Sequence, residues 1–273
     1  MFILVQCLQN LDIEKGRREM KFCPIIPTGA FQRFSKASDH WMALAQYLHI
    51  SEYRQFFQKK LADGEVVILD NGAYEDTPMP MTQLNYWTLE LKPSVLVLPD
   101  VPGKCLNTLV AAGSYLRDFG LPHGTEGMMV LHAQDGKLEH FIAAYELCPV
   151  EWVGFSRLTK SFDAELSAEV TWHDQRVAFA NILRERGLWR RELKHHALGM
   201  LSGDVTELTK LSYVGFHSCD SSAPVWRGLH GYSTNDPTWP NYAFEPLAPP
   251  EANNFDLAEQ NLAVVLSACH GQS

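Results

Sequence analysis

Short apolar runs alternate along this chain with longer stretches whose apolar residues recur at helical spacing. The runs are Phe2 to Val5, Phe22 to Ile26, Val66 to Leu69, Val95 to Leu98, Met128 to Leu131, Trp152 to Phe155, His196 to Gly199 and Tyr213 to Phe216. Between them, helices are predicted over about 39–61, 81–91, 104–119, 137–147, 174–186 and 205–211, with a last one near 257–268. Strands that are apolar throughout, rather than on alternate positions, belong to a sheet covered on both faces, and a strand-then-helix order makes that sheet parallel. Counting Phe2 to Val5 gives the strands of a closed (β/α)₈ TIM barrel. Phe2 to Val5 is equally readable as a preceding hairpin, with the eighth strand then falling after Asp220. An open doubly wound sheet is the main alternative, but no GxGxxG follows the first strand and there is no P-loop. The stretch 233–254, rich in Pro, Asn and aromatic residues, reads as an irregular excursion before the final helix. No repeat or clear linker divides residues 1–273, which are therefore predicted to form a single domain.

The polar residues at the ends of these runs carry the candidate chemistry. Val66 to Leu69 ends in Asp70, Val95 to Leu98 is followed by Asp100, Met128 to Leu131 runs into Gln134, and Val214 to Cys219 delivers Asp220 into a small-residue turn. In a barrel all of these fall on the C-terminal rim, where active sites are built. Each acid also has a purely structural explanation: Asp70 before Asn71-Gly72 can shape a turn, and Asp100 before Val101-Pro102-Gly103 can cap the next helix. It is their convergence that points to a site.

Composition narrows the classes. The formal charge of −9 excludes a generally basic nucleic-acid coat, though not a local patch. The best local candidates are Arg184, Arg186, Arg190, Arg191 and Lys194 with His195 and His196, and a second cluster of Arg17, Arg18 and Lys21; a solvated helix face explains them as well. No apolar run approaches the roughly 18 to 20 residues of a membrane span, and Met1 to Val5 lacks the features of a signal peptide, so no membrane partner and a cytoplasmic address are expected. The six cysteines form no CxxC pair and are read as reduced thiols. His132, His195, His196 and His217 offer ligands for a metal-dependent hydrolase, a weaker alternative because no HxH or HExxH pair supports it.

In its ordered motifs over roughly residues 66 to 228 the chain resembles the tRNA-guanine transglycosylases and, more closely, their phage and bacterial DNA-modifying relatives, the 7-deazaguanine DNA transglycosylases. Asp70-Asn71-Gly72-Ala73-Tyr74 resembles the family's Asp-Ser-Gly-Gly-aromatic segment, which implies an acid/base or substrate-positioning role for Asp70 and base stacking for Tyr74. Leu98-Pro99-Asp100-Val101 resembles the segment of the second acid, so Asp100 is implied to hydrogen-bond the purine edge, with Gln134 beside it. His196-Ala197-Leu198-Gly199-Met200 is similar to a segment whose backbone meets the base, which implicates Leu198 and Gly199. Asp220, followed four positions on by Pro224, is implied to be the nucleophile. The Asp220-Ser221-Ser222 opening and nearby Trp226 look more like the DNA branch. The structural zinc site of the tRNA enzymes is lacking, since only Cys269 follows Asp220, with His230 and His270, and position 226 is Trp where the family has Arg, with Arg227 next.

The residue types suit the chemistry on their own terms. Exchanging a nucleobase breaks an N-glycosidic bond through an oxocarbenium-like state, and a carboxylate on the opposite face can trap the sugar until a second base attacks with net retention. Asp220 fits that need. A second carboxyl kept partly neutral serves as the acid for the departing guanine, and Asp70 is the choice for it. Asp100 and Gln134 match a guanine or 7-deazaguanine edge, with Tyr74 as stacking platform. A base in a duplex must first be extruded, and Arg157, Trp226 and Arg227 are the candidates to hold the gap or bind phosphates, although a lone Trp is more often core and an Arg more often a surface pair. His217 and Cys219 are expected to pack behind the sheet. The expectation is a DNA-guanine transglycosylase installing a 7-deazaguanine such as the 7-cyano form, needing no redox cofactor and no metal. Its partners are DNA, guanine and the free 7-deazaguanine base. The alternatives are the same reaction on tRNA, or a catalytically silent binding subunit.

Overall fold

The computed structural model describes residues 19–73, 79–132, 138–157, 174–200, 205–240, 244–245 and 254–270. Among them are the strands β1 (Lys21–Pro24), β2 (His40–Leu44), β3 (Val66–Asp70), β4 (Val95–Val97), β5 (Glu126–Leu131), β6 (Trp152–Ser156), β7 (Lys194–Leu198) and β8 (Ser218–Ser221). They form one parallel sheet in the order β1-β8-β7-β6-β5-β4-β3-β2. The two end strands, β1 and β2, lie side by side and nearly close the ring into a (β/α)₈ barrel. A side chain bridges that seam: Ser38 Oγ donates to Phe22 O at 2.7 Å and accepts the His40 N–H at 3.1 Å. Lys21 and Asp39 add an ion pair at 3.2 Å.

Nine α-helices accompany the strands: α1 (Phe31–Phe34), α2 (Ser51–Ala62), α3 (Met81–Leu91), α4 (Cys105–Asp118), α5 (Leu138–Glu146), α6 (Gln175–Glu185), α7 (Val205–Val214), α8 (Ala223–Leu229) and α9 (Phe255–Cys269), counted among the described residues. The strands are buried almost end to end, as the unbroken apolar runs require of a sheet covered by helices outside and filled by side chains inside. Met42, Leu44, Val97 and Val130 face inward and floor a cavity at the C-terminal rim.

Two strands differ from the sequence reading. His40–Leu44 is a strand, although 39–61 reads as one long helix. Neither Gly nor Pro separates it from the helix, which starts only at Ser51, and the Trp41-Met42-Ala43-Leu44 run suits either state. The tertiary demand for a strand beside β3 decides it. Tyr213–Phe216 is not the eighth strand. Tyr213 and Val214 end α7, and β8 begins at Ser218, so the strand falls after that run and itself carries Asp220. Gly215, at φ +89°, is the helix stop: its N–H bonds Ser212 O at 3.2 Å and the next N–H, of Phe216, bonds Leu211 O at 3.1 Å. That pair of bonds is the Schellman closure that favours glycine. Phe2 to Val5 lies outside the described residues.

Candidate active site

Strand alternation sets the site's geometry. On β8, Ser218 and Asp220 share the inward face. On the neighbouring β7, His196 and Leu198 do the same, with His196 in register with Ser218. The result is a hydrogen-bonded row: Ser218 Oγ meets His196 Nδ1 at 2.7 Å, and His196 Nε2 meets Asp220 Oδ1 at 3.0 Å. Gly199, just past β7, donates its N–H to the same Oδ1 at 3.0 Å. Gly199 has φ +68°, and a Cβ there would lie 2.8 Å from Arg157 Cδ, so its lack of a side chain serves both the turn and the close approach of Arg157. Asp220 is 6% exposed and lines the cavity.

Asp100 is held on both oxygens. Asn71 Nδ2 donates to Oδ1 at 2.7 Å and also reaches Leu98 O at 2.7 Å, while His132 Nε2 meets Oδ2 in a short contact. Asp100 does not cap the next helix, whose N-cap is Lys104. Asp70 ends β3, and its Oδ2 accepts the Gly72 N–H at 3.0 Å, so it shapes the Asn71-Gly72 turn while also lining the cavity.

The cavity has a volume of about 640 Å³ and brings together Asp70, Asp100, Asp220, Leu198, Gly199, Arg157, Trp226 and Arg227. Tyr74 and Gln134 lie outside the described residues. Trp226 and Arg227 are buried on α8 at the cavity wall rather than displayed on the surface. Arg227 Nη1 donates to Thr234 O at 2.6 Å, and its guanidinium lies 5.5 Å from the Trp239 ring centre. The irregular excursion thus contributes wall: Trp239 and Phe244 also line the cavity.

Asn71 has no role in the sequence reading beyond the turn after Asp70, and neither His132, named there only as a possible metal ligand, nor the His196 side chain, named as a metal ligand and part of a basic cluster, is expected beside a carboxylate. The available signal for His132 was its place directly after the last residue of β5, the same rim position that drew attention to the acids. The four histidines named as possible metal ligands separate. His132 and His196 face the barrel interior, whereas His195 stacks on Trp189 at 3.8 Å and on His217 at 6.3 Å on the helix side of β7. No metal-binding group of three or more His, Cys, Asp or Glu forms among the described residues. Cys219 is buried with its Sγ 3.8 Å from Cys269 Sγ, and burial foremost pushes its thiol well above the ordinary range, against a role as nucleophile. Apart from His196, the described part of the basic clusters lies at the other end of the barrel. Lys194 begins β7 and pairs with Glu126 at 2.6 Å, Arg190 pairs with Glu192 at 2.8 Å, and Lys21 begins β1.

His195 carries a consequence for stability. Burial, and then the charges of His217, Arg184 and Arg190, push it down to about 3. An unfolded chain takes up a proton at this residue near pH 6.5 that the folded chain refuses until about pH 3. The stability is therefore complete above pH 6.5 and falls as pH falls through this window, by about 1.4 kcal/mol per pH unit at most. His195→Gln, which keeps a polar partner for the Tyr145 hydroxyl now 2.9 Å from Nε2, is expected to flatten this acid limb in denaturant titrations. Parallel limbs in the two proteins would assign the acid sensitivity to other groups.

No family model matches the chain, and a search of curated proteins finds no match. No helix among the described residues is long and apolar enough to cross a membrane.

Proposed function

We propose that this protein is a DNA-guanine transglycosylase: a pentosyltransferase that removes guanine from DNA and installs a 7-deazaguanine, such as the 7-cyano form, through a covalent aspartyl-sugar intermediate. One observation carries the reading. Asp220 stands at the end of a barrel strand, in a cavity it shares with two further carboxylates, with both of its hydrogen bonds on Oδ1 among the described residues. Oδ2 then keeps its lone pairs for a sugar carbon.

The roles follow from placement. Asp220 attacks C1′ as the bond to guanine breaks, and Asp70 supplies the proton that the departing base needs. Asp100, braced by Asn71 and His132, presents acceptor lone pairs to the N–H groups of the purine edge. A site built to pair such donors rejects bases lacking them, because its own buried groups are then left unpaired. Leu198 and Gly199 border the base, and Tyr74 and Gln134 keep the stacking and edge-reading roles that the family resemblance implies. A cavity of about 640 Å³ suits a base with its sugar and is too small for a duplex, so the nucleotide enters extruded. Arg157, Trp226 and Arg227 line the wall where the flanking strand would pass. The choice of DNA over tRNA rests on the resemblance of the Asp220-Ser221-Ser222 turn and Trp226 to the DNA-modifying branch.

The test is incorporation of radiolabelled guanine into duplex DNA, single-stranded DNA and tRNA by the purified protein. Label in DNA is the expected result. Label in tRNA alone would reassign the polymer, and label in none would reject base exchange.

A further inference from the structure

The two donors on Asp220 share one oxygen, and this asymmetry bears on the second half of the exchange. A carboxylate only accepts hydrogen bonds, so the His196 nitrogen facing it, Nε2, carries a proton. Ser218 Oγ fixes the ring from behind, at Nδ1. His196 and Ser218 are both fully buried, so neither touches a substrate and both act through Asp220.

We propose that His196 is a positioning residue that makes Asp220 a good leaving group: with the Gly199 N–H it reserves Oδ2 for attack and stabilises the carboxylate over the glycosyl ester, so that the covalent intermediate is discharged rather than stored. The inference rests on the base-exchange reading above. In the first half, an Oδ2 lone pair bonds to C1′ while the C1′–N bond breaks; its electron pair leaves with guanine, which takes the proton of Asp70. In the second half, the incoming base gives its N–H proton back to Asp70 and attacks C1′ through that nitrogen. The C1′–Oδ2 bond breaks, and its electron pair returns to a carboxylate whose charge spreads onto Oδ1. Hydrogen bonds to an ionised acceptor are roughly twice as strong as those to a neutral one. Donors on Oδ1 therefore gain strength as the ester is released, and removing one shifts the balance toward the ester.

The experiment quenches the protein in denaturant after incubation with a guanine-containing single-stranded DNA oligonucleotide, and in parallel with an unmodified tRNA transcript. Covalent adduct is then separated on a denaturing gel, and labelled-guanine exchange is measured alongside. In His196→Phe, which keeps a ring but removes the donor, the ratio of adduct to free protein is expected to rise roughly fivefold to tenfold, as for loss of one charge-assisted bond, while exchange slows. His196→Gln, whose amide can donate to Oδ1, should return the ratio toward wild type. Ser218→Ala leaves the ring in place but frees Nδ1, and should raise the ratio by less; it carries the test if His196→Phe does not fold. Adduct that fails to rise in the variants that fold, or falls in step with exchange, would make His196 merely structural and overturn the proposal. Wild-type protein that forms adduct and exchanges base on neither polymer would instead overturn the base-exchange reading, and the proposal with it.

Discussion

Asp220→Asn is expected to lower base exchange by about 10⁴-fold or more while leaving the fold intact, because an amide oxygen is too weak a nucleophile to trap the sugar. The substitution is close to isosteric. The Asn carbonyl can still accept the Gly199 N–H and the His196 Nε2–H, each now at 3.0 Å from Oδ1, so neither buried donor is stranded. The structural cost is then the weakening of two charge-assisted bonds, on the order of 1 to 3 kcal/mol. Labelled-guanine exchange measured beside thermal unfolding separates the two effects. Full turnover in a folded Asp220→Asn protein would reject Asp220 as the nucleophile, and loss of turnover together with the folded state would leave the question to a gentler variant. No such ambiguity is expected here, since β8 is held by its ladders to β1 and β7 and not by this carboxyl.

What the sequence made legible follows from which interactions are local. Continuous burial leaves a local trace, so Val66 to Leu69, Met128 to Leu131 and Trp152 to Phe155 are readable as strands, and the acids that follow them as a rim. Gly215 is also a local signal, but Val214-Gly215-Phe216 is as compatible with a strand as with a helix stop, and the apolar run around it reads as strand. β2 left no usable trace, because the residues between Leu44 and Ser51 are compatible with helix and carry no breaker. The site divides in the same way. Carboxylates at strand ends are visible one at a time, whereas their partners depend on register between strands. His196 reaches Asp220 only because β7 and β8 align it with Ser218, and His132 reaches Asp100 across a pair of neighbouring strands distant in sequence. Burial of Arg227 is likewise invisible in a sequence where an arginine reads as a surface pair or a phosphate contact, whereas burial of a lone Trp such as Trp226 is the ordinary expectation. Only the fold shows that α8 turns them to the cavity wall.

That dependence of the site on distant partners gives the largest expected effect on stability. Arg176 on α6 and Glu207 on α7 are 0% and 1% exposed, and they form a bidentate pair, Nε to Oε1 at 2.7 Å and Nη2 to Oε2 at 2.6 Å. The third guanidinium nitrogen, Nη1, donates to Leu198 O at 2.9 Å and to Phe155 O at 3.4 Å. One buried cation therefore ties two helices to the ends of β6 and β7, directly before the Gly199 that holds Asp220. Glu207→Gln leaves that cation in a dry interior without its counter-charge, and turns an amide N–H₂ or a single carbonyl toward a group with donors only. The expected loss is about 3 to 5 kcal/mol, read as a lower denaturant midpoint with an unchanged slope. Replacing both partners by apolar residues of similar volume, Arg176→Met with Glu207→Leu, removes the stranded charge and should recover part of that loss. Recovery stays incomplete because the Leu198 and Phe155 carbonyls lose a donor, each at about 1 to 3 kcal/mol if no other partner reaches it. The paired variant thereby separates two functions of Arg176: part of the stability returns with the apolar pair, but the anchoring of Leu198 does not. If Glu207→Gln unfolds at the wild-type midpoint, the buried cation does not depend on its carboxylate, and the pair contributes nothing to stability.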